Sequence, residues 1–481
     1  MQQDFSIIYK SLKEGRQPPL FLLEEDIENF LELSYKEQVT LIVFGREIPS
    51  VREVLEKKLP LSEEIKEPLL KEKFEEVIIP VVDTNTGEGK LSKIFLIKNS
   101  SKFWTNAKEY ENVLISKIFP LTGKNFIALF EETLEGYSFL LPLAVALIKP
   151  HLLEKYCFSG DLDSNGKLLP ILGEKAKEKA CKRLGKPLIT SKDFETLEQL
   201  LEYLGSNTKP IPILISAKNR NVEVLNKNYN LLLKNIKPIP TEGFLEQILN
   251  SKPYTDLGIL ETPEDWKNAL NLFEKWINKI DAFLEDAELH IALDGPSPLA
   301  FAYGIMHGAH KRAVFYHFQG NNYHPLVVVN EETSRDLKEF IEQPQLVEWN
   351  FSDYKGGERA KSLAVLLDMV SHPIEGKVKQ FLETKNIKAD ILLISHRERG
   401  KLNINRTWTR DIAEIFTLIR NYLNAKPYEE ILFFFGTPVA LAFGLGVAFG
   451  HYANGKIYSF YPNRNPQYVE VLKLEEIKKV R

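Results

Sequence analysis

The chain has 481 residues, of which 44% are hydrophobic and 27% are charged, as in an ordinary water-soluble globular protein. Its formal net charge of −4 argues against general binding to duplex nucleic acid, because duplex-binding domains are usually basic. The cysteines Cys157 and Cys181 are too few for a disulfide framework, and the first residues lack the apolar core of a signal peptide. These features predict a cytoplasmic protein of several domains.

The first 204 residues predict a helical region followed by an α+β domain. Residues 1–75 contain IENFLELSYKEQVTLIVF, in which apolar side chains recur at helical spacing; the role of this region stays open. Residues 76–204 combine β-like runs with the apolar helix FLLPLAVALI, the strand-turn-strand CFSGDLDSNGKLLPI and the Lys-rich helix GEKAKEKACKRLG. This mixture predicts a compact α+β domain.

Residues 208–481 alternate strands with long helices, which predicts βαβ units and a largely parallel α/β sheet. The segment HIALDGPSPLAFAYG (290–304) aligns with ILFFFGTPVALAFG (431–444), and FYHF (315–318) aligns with IYSF (457–460). Tyr323 is expected to match Tyr468, and IPILIS (211–216) to match ILLIS (391–395). The repeat predicts two similar halves, 208–330 and 331–481.

Residues 431–450, ILFFFGTPVALAFGLGVAFG, carry no charge and are long enough to cross a bilayer as a helix. Their repeat partner, however, contains Asp294 and His307, which are costly in lipid. We therefore predict no membrane span here, but a buried strand at 431–435 and a helix that begins at Thr437-Pro438.

A serine and several lysines are the candidates for catalysis. Ser138 directly precedes an apolar helix in GYSFLLPLAVALI (136–148), and lysines recur on the helix EKAKEKACKR (174–183). A serine hydroxyl needs a neighbouring base to become a good nucleophile, and a lysine can be that base where burial lowers its pKa. By itself the pattern also fits a helix-capping serine and a solvated lysine face. No P-loop and no His-Glu-x-x-His motif occurs, and no metal site is predicted.

This part of the chain resembles the proteolytic domain of Lon-type proteases. In that family a Gly-Pro-Ser-Ala-Gly turn carries the nucleophile, a T-G-E-x-x-x-x-G-x-V-L-P-I-G-G segment follows, and a Lys-Glu-Lys helix supplies the base. The residues that match are Ser138, Gly160-Asp161, Gly166, Leu169-Pro170-Ile171 and Lys177-Glu178-Lys179. Tyr137 stands in place of the family's proline. The resemblance implies an ATP-independent serine endopeptidase with a Ser138–Lys179 dyad, with Lys175 and Lys177 as rival lysines.

The candidate ligand-binding residues follow the carboxyl ends of the predicted parallel strands, where ligands bind in open α/β sheets. Basic side chains and aromatic stacking surfaces in that position suit a nucleotide with several phosphates. The candidates are Lys218, Arg220, Gly295, Pro296, Ser297, Tyr316, His396, Arg397, Arg399, Lys401, Gly436, Thr437, Pro438, Tyr461 and Arg464.

The duplicated half-domains resemble the SAVED sensor domain, which is built from two fused CARF-like Rossmannoid halves. The resemblance rests on two copies of the motif G-x-x-P-x-A-x-A-x-G, at 295–304 and in a shorter form at 436–444, each followed by Tyr-x-Phe. SAVED domains bind cyclic oligonucleotides, so the resemblance implies such a ligand here.

The combination of both regions resembles the CRISPR-associated Lon-SAVED proteases. It implies a type III CRISPR antiviral effector that binds cyclic oligoadenylate, expected to be cyclic tetra-adenylate, and forms homo-oligomers. The activated protease would cleave a partner protein, a regulator held inactive until it is cut. An alternative reading keeps the sensor but makes the Lon-like domain an inactive scaffold that controls partner docking.

Overall fold

A computed structural model of the protein describes residues 2–354, 360–400 and 402–477. The chain divides into two units, Met1–Ser206 and Asn207–Arg481, which are described separately below. Lys401, one of the predicted ligand contacts, lies outside the described residues.

The first unit combines helices with a small mixed sheet. Its helices are α1 (Gln2–Lys13), α2 (Leu20–Glu28), α3 (Tyr35–Val39), α4 (Pro49–Lys58), α5 (Glu63–Lys71), α6 (Lys108–Val113), α7 (Phe119–Thr122), α8 (Leu140–Ile148), α9 (Leu152–Lys155), α10 (Glu174–Lys182) and α11 (Leu197–Leu204). Its strands are β1 (Glu75–Val82), β2 (Gly89–Lys98), β3 (Trp104–Thr105), β4 (Phe126–Phe130), β5 (Cys157–Phe158), β6 (Asp161–Leu162), β7 (Leu168–Leu169) and β8 (Leu188–Ile189). Two π-helical segments, Thr40–Phe44 and Leu114–Ile118, continue α3 and α6.

The N-terminal helices and the sheet of this unit share one apolar core. The sheet has the order β1-β2-β4-β3, with β3 parallel to β4 and the other pairs antiparallel. Leu23, Leu55 and Leu69 of α2, α4 and α5 belong to the same buried cluster as Phe95 of β2 and Ile127 of β4. Helices α2, α4 and α5 are thus packed onto the sheet that follows them.

Close packing of α10 against β2 fixes the position of the lysine-bearing helix. A Cβ atom on Gly89 of β2 would lie 1.9 Å from the backbone oxygen of Ala176 in α10. Only glycine allows the strand and the helix to approach this closely, because any side chain would collide with the helix backbone. The position of α10 in turn determines which lysines of that helix are buried.

The second unit contains two sheets with helices packed around them. Its helices are α12 (Val222–Leu233), α13 (Glu242–Leu249), α14 (Pro263–Phe283), α15 (Ser297–His307), α16 (Thr333–Asp336), α17 (Glu375–Thr384), α18 (Thr409–Ala425) and α19 (Val439–Phe449). Its strands are β9 (Lys209–Ser216), β10 (Tyr254–Asp256), β11 (Ala287–Asp294), β12 (Arg312–Gln319), β13 (Asn322–Val329), β14 (Val347–Ser352), β15 (Ser362–Asp368), β16 (Ala389–His396), β17 (Glu430–Gly436), β18 (Gly455–Phe460) and β19 (Tyr468–Lys473).

Both sheets are parallel in the middle and antiparallel at an edge. The strand orders are β10-β9-β11-β12-β13 and β14-β16-β15-β17-β18-β19. Strands β13, β14 and β19 run antiparallel to their neighbours, and the remaining pairs are parallel. The predicted largely parallel α/β architecture of this region is confirmed.

The internal repeat is visible in matching irregularities of the two sheets. Pairing shifts between Phe315 and Tyr316 in the first sheet, and between Ile457 and Tyr458 in the second. Beyond each shift, Phe318 faces Tyr323 and Phe460 faces Tyr468, which confirms the predicted match of Tyr323 with Tyr468. The two halves therefore share even the position of an irregularity in strand pairing.

The predicted match of IPILIS with ILLIS is wrong. The repeat matches β11 with β17. IPILIS lies in β9, the neighbour of β11, and the corresponding neighbour of β17 is β15. ILLIS lies in β16, one strand further out. Two apolar parallel strands look alike in sequence because both faces are buried, so sheet order and not composition identifies the counterpart.

Residues 431–450 form a strand and a helix, as predicted. They contribute β17 and α19, and every residue from Ala440 to Phe449 is buried. In the described ranges no helix has the length and apolar character needed to span a bilayer. A Cβ on Gly446 of α19 would lie 2.1 Å from the backbone oxygen of Phe301, and one on Gly304 of α15 would lie 2.0 Å from that of Phe443. The two repeated helices are thus in backbone contact at glycines.

We expect Gly446→Ala to lower the free energy of unfolding of the second unit by roughly 1–3 kcal/mol, because the new methyl group must push α15 and α19 apart. Chemical denaturation followed by circular dichroism measures the effect. Gly376→Ala in α17 is the matched control, since a Cβ there meets no atom within 4 Å. Equal stability of the two variants would contradict the helix contact described here.

Candidate functional site

Ser138 lies in a turn between β4 and α8 that is held from both sides. On one side, the Tyr110 hydroxyl donates to the backbone oxygen of Leu134 and accepts from the Leu134 N–H, both at 2.7 Å. On the other, the Gly160 N–H donates to the backbone oxygen of Ser138 at 2.9 Å, and the Leu141 N–H donates to the oxygen of Gly160 at 3.0 Å. These bonds fix the serine beside the start of α8, where the sequence predicts it.

Lys177 is the lysine that contacts Ser138. Its Nζ lies 2.9 Å from Ser138 Oγ and 3.2 Å from Ser159 Oγ. The residue is only 5% exposed, and burial lowers the pKa of its amine to about 8. A substantial fraction of the amine is therefore neutral at mildly alkaline pH, as a general base requires.

The structure does not place Lys179, the predicted base, beside Ser138. Lys179 and its rival Lys175 are both exposed, whereas Lys177 lies on the buried face of α10 with Ala180 and Cys181. Two residues correspond to about 200° around an α-helix, so Lys175 and Lys179 cannot share the face of Lys177. The spacing of Lys177 to Ala180 and Cys181, at i+3 and i+4, marks the buried face in the sequence.

Ser159 is a contact that the sequence analysis missed. It follows β5, is completely buried and bonds to Lys177 through its hydroxyl. Its backbone N–H donates to the oxygen of Ile189, the last residue of β8, at 3.0 Å. In the sequence, the signal for it is a serine between Phe158 and Gly160, the glycine whose N–H bonds to Ser138.

A cleft of about 520 Å³ opens beside the two side chains. Its walls include Tyr137 and Asp161, together with an apolar group made of Val81, Val82, Pro170, Ile171 and Leu172. Leu172 is 90% exposed, so an apolar surface lies next to the serine. A cleft of this size and composition can hold part of an extended peptide chain.

In the second unit, the two repeated glycine turns meet. The Ser297 hydroxyl donates a hydrogen bond to the backbone oxygen of Thr437, so the turn after β11 contacts the turn after β17. Helices α15 and α19 begin at these turns with Pro296 and Pro438 as their capping residues. The Oγ1 of Thr437, a residue only 5% exposed, has no hydrogen-bond partner within the described part of the chain.

The carboxyl ends of the strands pair most of the predicted cations with aspartates. Lys218 and Arg220 both contact Asp294, at 2.7 and 3.0 Å. Arg399 contacts Asp368 at 2.6 Å and donates to the backbone oxygen of Val370 at 2.7 Å. Arg397 is exposed and lies 3.8 Å from Glu348. An anionic ligand here would bind cations that already have carboxylate partners.

His396 and Tyr316, both predicted ligand contacts, are buried, and the structure gives each a partner within the protein. His396 is 3% exposed; its Nε2 lies 2.9 Å from Asp411 and its Nδ1 accepts from the Glu398 N–H. Tyr316 is 2% exposed and bonds to His290 at 2.8 Å. Both residues use their polar atoms inside the protein.

Tyr461 and Arg464 connect the two halves of the second unit. The Tyr461 hydroxyl donates to the backbone oxygen of Leu260 at 2.7 Å and accepts from the Trp266 indole N–H at 3.0 Å. The Arg464 guanidinium lies 4.3 Å from the centre of the Tyr461 ring and donates to the oxygen of Glu261. These contacts place both residues against the loop before α14 and the beginning of that helix.

No cluster of three or more His, Cys, Asp and Glu side chains suited to a metal ion occurs in the ranges that the structure describes.

Comparison with known proteins gives distant similarities to solved structures. No protein-family description matches the chain, and no curated protein matches it. Among solved structures, the chain is similar to the Acinetobacter baumannii Cap4 SAVED/CARF-domain receptor with 2′3′3′-cAAA, with 13% identity, a TM-score of 0.37, and coverage of 56% of this chain and 52%, about half, of that chain. The same receptor with 3′3′3′-cAAA has 12% identity, a TM-score of 0.36 and coverage of 83% and 94%. The Moraxella osloensis Cap4 receptor has 13% identity, a TM-score of 0.33 and coverage of 63% and 73%.

We expect Lys177 to titrate with a pKa of about 8 in the folded protein, because burial disfavours its charged form. Nuclear magnetic resonance of isotopically methylated lysines would show the midpoint, and loss of one resonance in Lys177→Met would assign it. A Lys177 resonance that titrates above pH 10, as exposed lysines usually do, would contradict the buried position.

Proposed function

We propose that the first unit is a serine endopeptidase with Ser138 as nucleophile and Lys177 as general base. The observation that carries this proposal is the 2.9 Å contact between Ser138 Oγ and the Nζ of a lysine that is only 5% exposed. A hydroxyl beside an amine with a lowered pKa is the arrangement that activates a serine without histidine. The reaction requires neither ATP nor a metal ion.

The dyad accounts for both halves of peptide hydrolysis. Neutral Lys177 takes the Ser138 proton as Oγ attacks the peptide carbonyl, and the resulting ammonium returns that proton to the leaving amine. Lys177 then takes a proton from water, whose oxygen attacks the acyl ester, and gives it back to Ser138 Oγ as the acid product leaves. Ser159 holds the amine in position through its 3.2 Å contact.

The position of Ser138 before α8 supplies the second element of catalysis. Backbone N–H groups at a helix N-terminus have no partner within the helix and favour negative charge. The N–H groups of the turn at 138–139 are suited to stabilise the oxyanion that forms on the substrate carbonyl. The bonds from Gly160 and Leu141 hold this turn in place before substrate arrives.

Ser138→Ala and Lys177→Met are each expected to lower kcat by at least about 10³-fold, because either change removes one half of the dyad. Lys179→Met is the matched control and should keep wild-type activity, since Lys179 is exposed on the same helix. Cleavage of the partner protein followed by electrophoresis measures the rates. Undiminished cleavage by Ser138→Ala would refute the peptidase assignment. Loss of activity in Lys179→Met but not in Lys177→Met would show that Lys179 is the base.

The activity should rise as pH increases from 7 to 9. Lys177 works only as a neutral amine, and its pKa of about 8 means that protonation removes the base below that value. We expect kcat/KM to fall about tenfold for each pH unit below the midpoint. A profile that is flat between pH 6 and pH 9 would show that Lys177 is not the base.

We propose a second role, in which the second unit binds cyclic oligoadenylate where the two glycine turns meet. Two helix N-termini converge there through the bond from Ser297 to Thr437, and helix N-termini favour phosphate. The unpartnered, buried Oγ1 of Thr437 is a polar group that a ligand could satisfy. The resemblance of residues 208–481 to SAVED sensors supplies the class of ligand, with cyclic tetra-adenylate as the expected ring.

In the proposed pathway the chain is a cytoplasmic effector of type III CRISPR antiviral defence. Ligand binding promotes homo-oligomerisation and cleavage of a partner protein, a regulator that is inactive until it is cut. The competing proposal is a ligand-sensing scaffold in which the Ser138 domain only docks the partner. Ligand-dependent partner binding without any cleavage would favour the scaffold.

Arg399 follows β16 and contacts Asp368 at the end of β15. Arg399→Gln should weaken binding of cyclic oligoadenylate by roughly 10-fold or more, because a charge-assisted contact to phosphate is lost. Isothermal titration calorimetry with cyclic tri-, tetra- and hexa-adenylate measures affinity and ring preference together. Arg335→Gln serves as the control, since Arg335 is exposed on α16. Equal affinity of both variants would place the phosphates elsewhere.

A further inference from the structure

The turn that carries Ser138 is contacted by a lysine outside the dyad. Lys117 lies on the π-helical segment Leu114–Ile118, and its Nζ is 5.3 Å from the centre of the Tyr137 ring. The same Nζ is 2.8 Å from an Asp161 carboxylate oxygen. One cation therefore contacts the residue before the nucleophile and the residue after Gly160.

Both partners of Lys117 belong to the walls of the cleft beside Ser138. Tyr137 is 42% exposed, so packing alone does not immobilise its ring. Gly136 has a φ of +72°, a backbone conformation that supplies the sharp turn but no side chain to support it. Asp161 is fixed independently, because the same carboxylate oxygen also accepts from the Leu162 N–H at 2.7 Å.

We propose that Lys117 is a positioning residue that holds the Tyr137–Ser138 turn against Asp161. The attraction of the cation to the aromatic face acts on Tyr137, and the ion pair ties the same amine to Asp161. Side chains of Lys117 and Asp161 are 23% and 22% exposed, so water screens this pair less than a surface ion pair. The π-helical segment presents Lys117, and such segments are frequent at functional sites.

This inference rests on the proposed peptidase activity, because its consequence is the alignment of Ser138 Oγ with Lys177 and with substrate. A nucleophile displaced by about 1 Å can lose about 10²-fold in rate. The Lys117 amine contacts Asp161 and Tyr137, and within the described ranges it has no hydrogen bond to Ser138 or Lys177. Its removal should therefore lower kcat and leave KM nearly unchanged.

The test compares Lys117→Met with Lys117→Arg and with the control Lys108→Met, an exposed lysine on α6. We expect kcat of Lys117→Met to fall about 10- to 100-fold, with KM and the thermal midpoint close to wild type. Lys117→Arg, which keeps the charge and the aromatic contact, should recover most of the rate. Wild-type kcat in Lys117→Met, or equal loss in Lys117→Arg, would overturn the proposal.

Hydrogen exchange gives a second readout that needs no enzymatic activity. Backbone amides of residues 134–139 should exchange several-fold faster in Lys117→Met than in wild type, and Asp161→Asn should reproduce part of this effect. Unchanged exchange in both variants would overturn the positioning role. A wild-type protein that cleaves nothing would contradict the proposed peptidase, while faster exchange in Lys117→Met would still support the positioning contact.

Discussion

Burial of the Lys177 amine beside Ser138 is the constraint on which the first unit depends. Holding a lysine at 5% exposure with a pKa of about 8 disfavours its charged form by on the order of 3 kcal/mol relative to water. The contact of α10 with β2 at Gly89 and the hydrogen bond to Ser159 hold the amine in this buried position. Because the folded pKa lies below the unfolded value, the penalty is full below pH 8 and disappears as pH rises above about 10.

The second unit depends on close contact of a different kind. Gly304 and Gly446 let α15 and α19 touch backbone to backbone, and this contact holds the helices of the two strand-turn-helix copies against each other. The bond from Ser297 to Thr437 joins the two turns. A duplicated sequence thereby produces a single place where two helix N-termini meet, instead of two separate sites.

The architecture could be predicted from the sequence where the spacing of apolar residues was regular and where the internal repeat was clear. The uncharged stretch at 431–450 could be predicted as a strand and a helix because its repeat partner contains Asp294 and His307. The alignment of 315–318 with 457–460 is matched by a shared irregularity in strand pairing. The counterpart of β9 was not predictable from composition, because β15 and β16 are equally apolar and only sheet order separates them.

At the candidate sites, the sequence located the turns and helices but not which side chains point inward. Motif alignment favoured Lys179, whereas the helical face containing Ala180 and Cys181 buries Lys177. His396 and Tyr316 have the right chemistry for a nucleotide, yet Asp411 and His290 occupy their polar atoms. Such pairings join residues distant in sequence, so spacing alone could not reveal them.

The most direct measurement of the central claim is the rate at which a serine-directed fluorophosphonate labels Ser138 as a function of pH. If a buried neutral lysine activates the serine, mass spectrometry should find the label on Ser138, and the rate should rise with a midpoint of about 8. The rise should be absent in Lys177→Met. Labelling of other serines instead, or a rate that does not depend on pH or on Lys177, would contradict the dyad.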